Sequence, residues 1–555
     1  VTLGKFARAE AHKSKRKELT MRRNSAAGFW LLIAACITVQ GCSGTAAAPA
    51  IDRPPAVTAS TRELALAQSS NGDFTIDLYR QLAAEQPGAN IFFSPFSIST
   101  ALLIATEGAS GETAEQMGKV LRVPKSLRST GPQAASLPWQ LAGLHKGQAA
   151  ICYRLSPEPI SPQLRDKISR LRDDLAAANG RTAALVNSGR FEEAKQSGAT
   201  AQKLADELNP WLKETEPYEW RTANALWGEK TYPFRSSFLD TIQAFYGGVV
   251  FPVDFRTGAD AARRQINDWV ARQTRDRIKD LMSAGSVDST TRLVITNAVY
   301  FKGEWLDPFD ASSTRPKDFH LSDGKNVPAL MMSKYIDGSA GYGAFNGDGT
   351  AFDTPREIPV DMPDEDPSLY PGARGFTAVR LAYKGGKLFM VMIVPQSAAG
   401  LGQLERRLPS TGLKPWIDRI ADRTVIVNVP KFKLETEYSL EKSLQAMGMV
   451  RAFNRPGRPD GAQFDRMTAS HDPAQQLFIS VVRHKAFVEV NEKGTEAAAA
   501  TGLAMAASDA AAPERRKTRP FIPTFWADKP FLLAICDADT HSILFLGRLV
   551  SPPAR

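Results

Sequence analysis

Ser439-Leu440-Glu441-Lys442 has the spacing of a serine nucleophile with a lysine three positions on, the pattern of penicillin-binding enzymes. That chemistry needs Ser-x-Asn and Lys-Thr-Gly companions, and neither follows it. No Gly-x-Ser-x-Gly elbow, His-Glu-x-x-His zinc helix or phosphate-binding loop is present either. The four cysteines, Cys36, Cys42, Cys152 and Cys536, lack metal-ligand spacing. No catalytic residue, metal or cofactor is expected. Cys152 and Cys536 can be paired or free.

What remains is a segment built to be acted on. Phe478–Val490 is an apolar run that predicts a buried strand, and Phe531–Ile535 and Ser542–Arg548 predict two more. Between Gly494 and Pro530 there is little from which to build a core, so an exposed loop is expected. Its first half alternates. Thr495, Ala497, Ala499, Thr501, Leu503 and Met505 share one face, and Glu496, Ala498, Ala500, Gly502 and Ala504 the other. No proline occurs before Pro513, so the stretch can donate to a sheet ladder. Its alanines equally suit a helix.

The elements that position this loop are read in chain order. Thr45 to about Ser70 is Ala/Pro/Thr-rich and reads as a tether. Asp73–Leu82 is an amphipathic helix, and Asn90–Ser99 leads into apolar helix to Ala105. Residues 125–210 carry charged amphipathic helices with few aromatics and read as a surface insertion. Trp220–Gly228 is a strand, Ser237–Tyr246 a helix, and Leu293–Phe301 a continuous apolar run, as in a strand buried on both faces. Residues 346–369 are acidic, rich in Gly and Pro, and expected to be a mobile loop. Strands follow at Phe376–Ala382, Leu388–Val394, Thr424–Val429 and Lys431–Thr436, with a helix at Ser439–Gly448. Helices come first and strands dominate later, which gives an α+β body with large mixed sheets.

The formal charge of +10 does not point to nucleic acid. Residues 1–23 contribute +6 of it, leaving +4 for the rest, without a basic groove interleaved with aromatics. Met21-Arg22-Arg23, an apolar run from Phe29 to Val39 and Gly41-Cys42-Ser43 read as a secretion signal, with Met21 as the start. Val39-Gln40-Gly41-Cys42 resembles a bacterial lipobox, in which Cys42 would carry the lipid anchor and Ser43 would favour the outer membrane. Gln40 is unusual there and leaves ordinary cleavage open.

Several motifs together resemble the serpin family of serine protease inhibitors. They are Asn90–Ile98, Asn297-Ala298-Val299-Tyr300-Phe301-Lys302-Gly303-Glu304-Trp305, Val429-Pro430-Lys431-Phe432-Lys433, His484-Lys485-Ala486, Glu492–Ala500 and Asp528-Lys529-Pro530-Phe531. The match runs over residues 70–124 and 210–553. It implies a serpin fold of about nine helices and three β-sheets, a domain over 71–553 interrupted by the 125–210 insertion, and a 1–42 leader with a 43–70 tether. The implied activity is suicide inhibition. A serine protease cuts the reactive-centre loop, is held as an acyl-enzyme, and is carried off as the loop inserts into the central sheet. Glu492, Gly494, Thr495, Glu496, Ala497, Ala498, Ala499, Ala500 and Thr501 would form the hinge. Ser94, Ser97, Asn297 and His484 would form the gating cluster, with Trp305 at the insertion entrance.

The resemblance leaves the cut bond open. Fifteen residues counted from Gly494 reach Ser508, before Asp509, and the alanines there suit an elastase- or subtilisin-like protease. Counting back from Asp528 reaches Arg519-Pro520, and Arg515-Arg516-Lys517 would suit a trypsin-like one. Pro513 and about eight extra residues of slack, roughly 27 Å, favour Ser508 over Arg516. A monomer is expected, exported to the outer membrane, periplasm or exterior. A non-inhibitory serpin, serving as protease substrate or binding module, is the alternative.

Overall fold

The computed structural model describes residues 53–156, 161–188, 190–215, 218–470, 476–494 and 518–553. The leader with Cys42, the hinge residues Thr495 to Thr501, and Ser508, Asp509 and Arg516 lie outside the described residues.

Helix α1 (Thr61–Glu85) starts earlier than the tether reading allowed. Ser60 and Glu63 form a capping box: the Ser60 hydroxyl accepts from the Glu63 N–H, and the Glu63 carboxylate accepts from the Ser60 N–H at 2.7 Å. The expected tether therefore ends at Ser60, not Ser70. Helix α2 (Pro95–Glu107) follows a three-residue strand, Ile91–Phe93. Ser94 caps α2, Pro95 occupies the first position where its missing N–H costs nothing, and every residue from Pro95 to Thr106 is buried. Such a helix is buried on every face, its hydroxyls satisfied by hydrogen bonds such as Thr100 Oγ1 to the Phe96 carbonyl at 2.7 Å.

The segment expected as one surface insertion divides in two. In α3 (Ala142–Leu155), Leu144, Ala149, Ile151 and Leu155 join the main core. Gln148 of α3 donates to the Thr100 hydroxyl at 2.6 Å and the Phe96 carbonyl at 3.2 Å on α2. Its charged residues disguised a core helix. Helices α4 (Pro162–Asn187) and α5 (Phe191–Thr215) instead pack on each other around Ile168, Leu171 and Leu208, a cluster separate from the main core.

The described residues hold eleven α-helices, against the nine expected, and three sheets. The central sheet has five strands: β1 (Tyr218–Glu229), β2 (Val250–Val253), β3 (Leu293–Gly303), β4 (Phe432–Ser439) and β5 (Ile479–Val490), in the order β4-β5-β3-β1-β2. All pairs through β4, β5, β3 and β1 are antiparallel except one: β3 and β5 run parallel, from Leu293 opposite Ile479 to Tyr300 opposite Phe487. A ten-stranded sheet, carrying Phe376–Ala382, Leu388–Pro395, Phe531–Asp537 and Ile543–Leu549, holds most of the remaining strands.

Three sheets were expected, but not the pairing that makes the third. The acidic segment does not stand free: Glu357–Pro359 pairs antiparallel with Thr518–Pro520, from the far side of the loop. The exposed stretch expected to reach Pro530 therefore gives way to paired backbone at Thr518. The counted-back bond, Arg519-Pro520, lies inside this ribbon.

Cys152 and Cys536 are both free. Burial pushes the Cys152 thiol up to about 12 and Cys536 higher still, with the Asp537 carboxylate adding to the second shift. A thiol reagent at pH 8 is expected to label neither Cys152 nor Cys536 in the folded chain and both after unfolding, as read by peptide mass mapping.

Candidate functional site

Four strands place one residue each in a row across the central sheet. Tyr438 of β4 lies opposite His484 of β5, His484 opposite Asn297 of β3, and Asn297 opposite Asn224 of β1. Beneath the row sits the capped start of α2. The Ser94 N–H donates to His484 Nε2 at 3.0 Å. That fixes the tautomer: Nδ1 carries the proton and donates to Asn297 Oδ1. The Asn297 amide nitrogen donates to Ser97 Oγ and to Asn224 Oδ1, each at 2.7 Å. Ser94 Oγ donates to the Leu544 carbonyl at 2.7 Å. The Tyr438 ring stacks on the imidazole with centroids 6.0 Å apart.

The structure thus brings together all four residues of the expected gating cluster and adds two that were missed, Asn224 and Tyr438. A polar residue in the apolar strand Ala223-Asn224-Ala225 was the available signal for the first. The row straddles the parallel β3–β5 seam and cross-links it with side chains. Asn297 spends both amide hydrogens and its oxygen on it.

At the top of the seam the chain leaves β5 over Trp305. The indole Nε1 donates to the Asn491 carbonyl at 3.0 Å, and the ring, buried, stacks on Tyr383 at 4.6 Å. The Trp305 N–H donates to the Lys493 carbonyl at 2.8 Å and the Phe309 N–H to that of Glu492 at 2.7 Å. Gly494 has φ +140°, and a Cβ there would sit 2.1 Å from the Gly303 carbonyl oxygen. Only glycine fits that approach. Burial alone would raise the Glu492 carboxyl, but Lys431 at 2.8 Å and the Thr314 hydroxyl at 2.8 Å hold it below its usual range. Glu492, Gly494 and Trp305 therefore form one exit point. Thr495 to Thr501 begin immediately after it, outside the described residues.

His484 gives the row a pH signature. It is fully buried, and loss of solvation lowers its pKa to about 3. The unfolded chain binds that proton first, near pH 6.5, while the folded chain refuses it. Its contribution is therefore present above pH 6.5 and is lost as pH falls toward 3. Urea unfolding of the wild type minus H484N is expected to lose about 1.4 kcal/mol per pH unit below 6.5. N297A strands buried partners on three sides and should cost about 2–4 kcal/mol at pH 7.5, read by the same titration.

Comparison with known proteins agrees with this geometry. The serpin (serine protease inhibitor) family model matches residues 69–158 and 174–552. Human Serpin B10 is 33% identical over 88% of this chain and 99% of its own, and Serpin B6 of Macaca fascicularis is 32% identical over 87% and 98%. Among solved structures, uncleaved ovalbumin superposes with TM-score 0.59 at 23% identity over 87% of this chain and 99% of its own. Human thyroxine-binding globulin does so with 0.61 at 24%, over 89% and 100%. The chain belongs to the serpin family.

Proposed function

We propose that the chain is a suicide inhibitor of serine proteases, working by loop cleavage, acyl-enzyme trapping and insertion of the cut loop between β3 and β5. The observation that carries this reading is the parallel seam with the chain leaving at its top through Gly494. A strand turning back there runs antiparallel to both neighbours, so one parallel ladder is exchanged for two antiparallel ones, each slightly stronger per residue. Thr495, Ala497, Ala499 and Thr501 are small enough to face the interior during that exchange.

In this reading the gating row opens and re-forms around the new strand, and Ser508-Asp509 is the bond cut, by an elastase- or subtilisin-like protease. Arg516 is the alternative bond, for a trypsin-like one. The protein acts as an exported monomer held at the membrane by lipid on Cys42. Support for the anchor is the Val39-Gln40-Gly41-Cys42 sequence. C42S would abolish incorporation of labelled palmitate if the anchor exists.

A second reading follows from the fold neighbours, one of which is named for binding thyroxine rather than for inhibiting a protease. Here the chain would be a binding module or a plain substrate. Incubation of the mature protein with elastase, subtilisin and trypsin separates the two on a denaturing gel. Inhibition gives a covalent complex and a released peptide beginning near Asp509, whereas the second reading gives cleavage without complex. A499R, which puts a long cation on the face to be buried, is expected to leave the cleavage rate unchanged and cut complex yield by about tenfold or more.

A further inference from the structure

β2 covers only the far end of β1, pairing with it from Leu226 to Glu229. The earlier part of β1, from Trp220 to Asn224, lines a cavity of about 160 Å³ that it shares with α2, α3 and the helix Phe255–Gln273. Phe96, Ile104, Trp220, Tyr246 and Trp269 form its buried wall. The hydroxyls in that wall are already engaged: Thr100 donates to the Phe96 carbonyl at 2.7 Å, and Tyr246 is hydrogen-bonded to His145 Nδ1 at 2.9 Å. The inner part therefore suits an apolar occupant, and a space of this size takes about one aromatic ring.

The outer part has another character. Arg221 is half-buried there, and Arg272 and Arg275 are exposed. Among the described residues that line the cavity there is no aspartate or glutamate. Glu219, outside the lining, accepts from Arg275 at 2.8 Å and offsets one of the three charges. A guanidinium has five donors, so it can keep a protein partner and still take a carboxylate. Pro54 also stands in the wall, which makes the chain entering α1 part of the site. Two members of the gating row complete it: Ser97 and Asn224 line the cavity and are joined to each other at 2.7 Å.

We propose that this cavity binds a small aryl carboxylate, ring inward against Trp220 and Trp269 and carboxylate at the arginines, and that the occupant braces the Ser97–Asn224 corner of the gating row. A ligand that touches the closed row favours it by whatever contact it would lose when the row opens. Only the consequence for loop insertion rests on the inhibitory function proposed above; binding and bracing do not.

The test titrates 3-phenylpropionate, 3-phenylpropanol and acetate into the protein. Tryptophan fluorescence, Tm and amide exchange along β3 and β5 are read. The aryl carboxylate is expected to quench fluorescence saturably, to raise Tm with the logarithm of its concentration and to slow exchange at the seam. The alcohol should bind about tenfold more weakly, and acetate should leave all three readouts unmoved. R272E, at an exposed position, should weaken 3-phenylpropionate by about tenfold and leave the Tm of the unliganded protein unchanged. No saturable quenching at millimolar ligand, equal affinity for acid and alcohol, or full affinity in R272E would overturn the site. Binding with unchanged exchange at the seam would overturn the bracing. With a protease present, the ligand should slow formation of covalent complex; binding intact with no complex under any condition would overturn the inhibitory reading alone.

Discussion

The parallel pairing of β3 and β5 is the constraint on which the other features depend. Both strands are already committed on their outer edges, to β1 and β4, so the seam is an internal parallel junction between two long strands. Their one-sided parallel ladder is reinforced by side chains: Asn297 and His484 face each other across it, and Ser94 and Ser97 brace them from below. The burial of α2 follows from this, since a capped and wholly buried helix start is what brings Ser94 and Ser97 under the seam. The neutral imidazole follows as well. Its Nε2 must accept from a backbone N–H, so it has no room for a second proton.

Above the row, the same seam fixes how the chain departs. Trp305 follows β3 and holds the residues just past β5, Asn491 by its indole and Lys493 by its backbone. Gly494 lies against the Gly303 carbonyl because the two strands are still adjacent there. An ionised Glu492 held by Lys431 ties the exit to the loop before β4. The hydrogen bonds and ion pair that fix the exit are concentrated just before Gly494.

Much of this was legible in the chain. Leu293–Phe301 declares a doubly buried strand by its unbroken apolar run. The motifs around Ser94, Ser97, Asn297 and His484 marked four residues that the fold places in hydrogen-bond contact. What was not legible depends on register or on distant pairing. Asn224 and Tyr438 join the row only because four strands align, which no single strand encodes. Glu357–Pro359 and Thr518–Pro520 are about 160 residues apart in sequence, and each is too short to read as a strand alone. Misreading α3 had a different cause: its Lys146 and Arg154 mark the solvent side of a helix whose other side fills the core.

The ribbon also sets the length of chain available to an uncut molecule. To lie along all eleven residues of β3, the chain after Gly494 must descend about 37 Å and then climb as far again. With the far end fastened at Thr518, roughly twelve residues are left for the climb, about 41 Å fully stretched, which must also provide a turn and a sideways crossing. If the fastening began only at Thr524, six more residues would make the return easy. Twenty-three residues, Thr495 to Lys517, thus join Gly494 to the ribbon, where twenty-nine would be needed to reach Thr524.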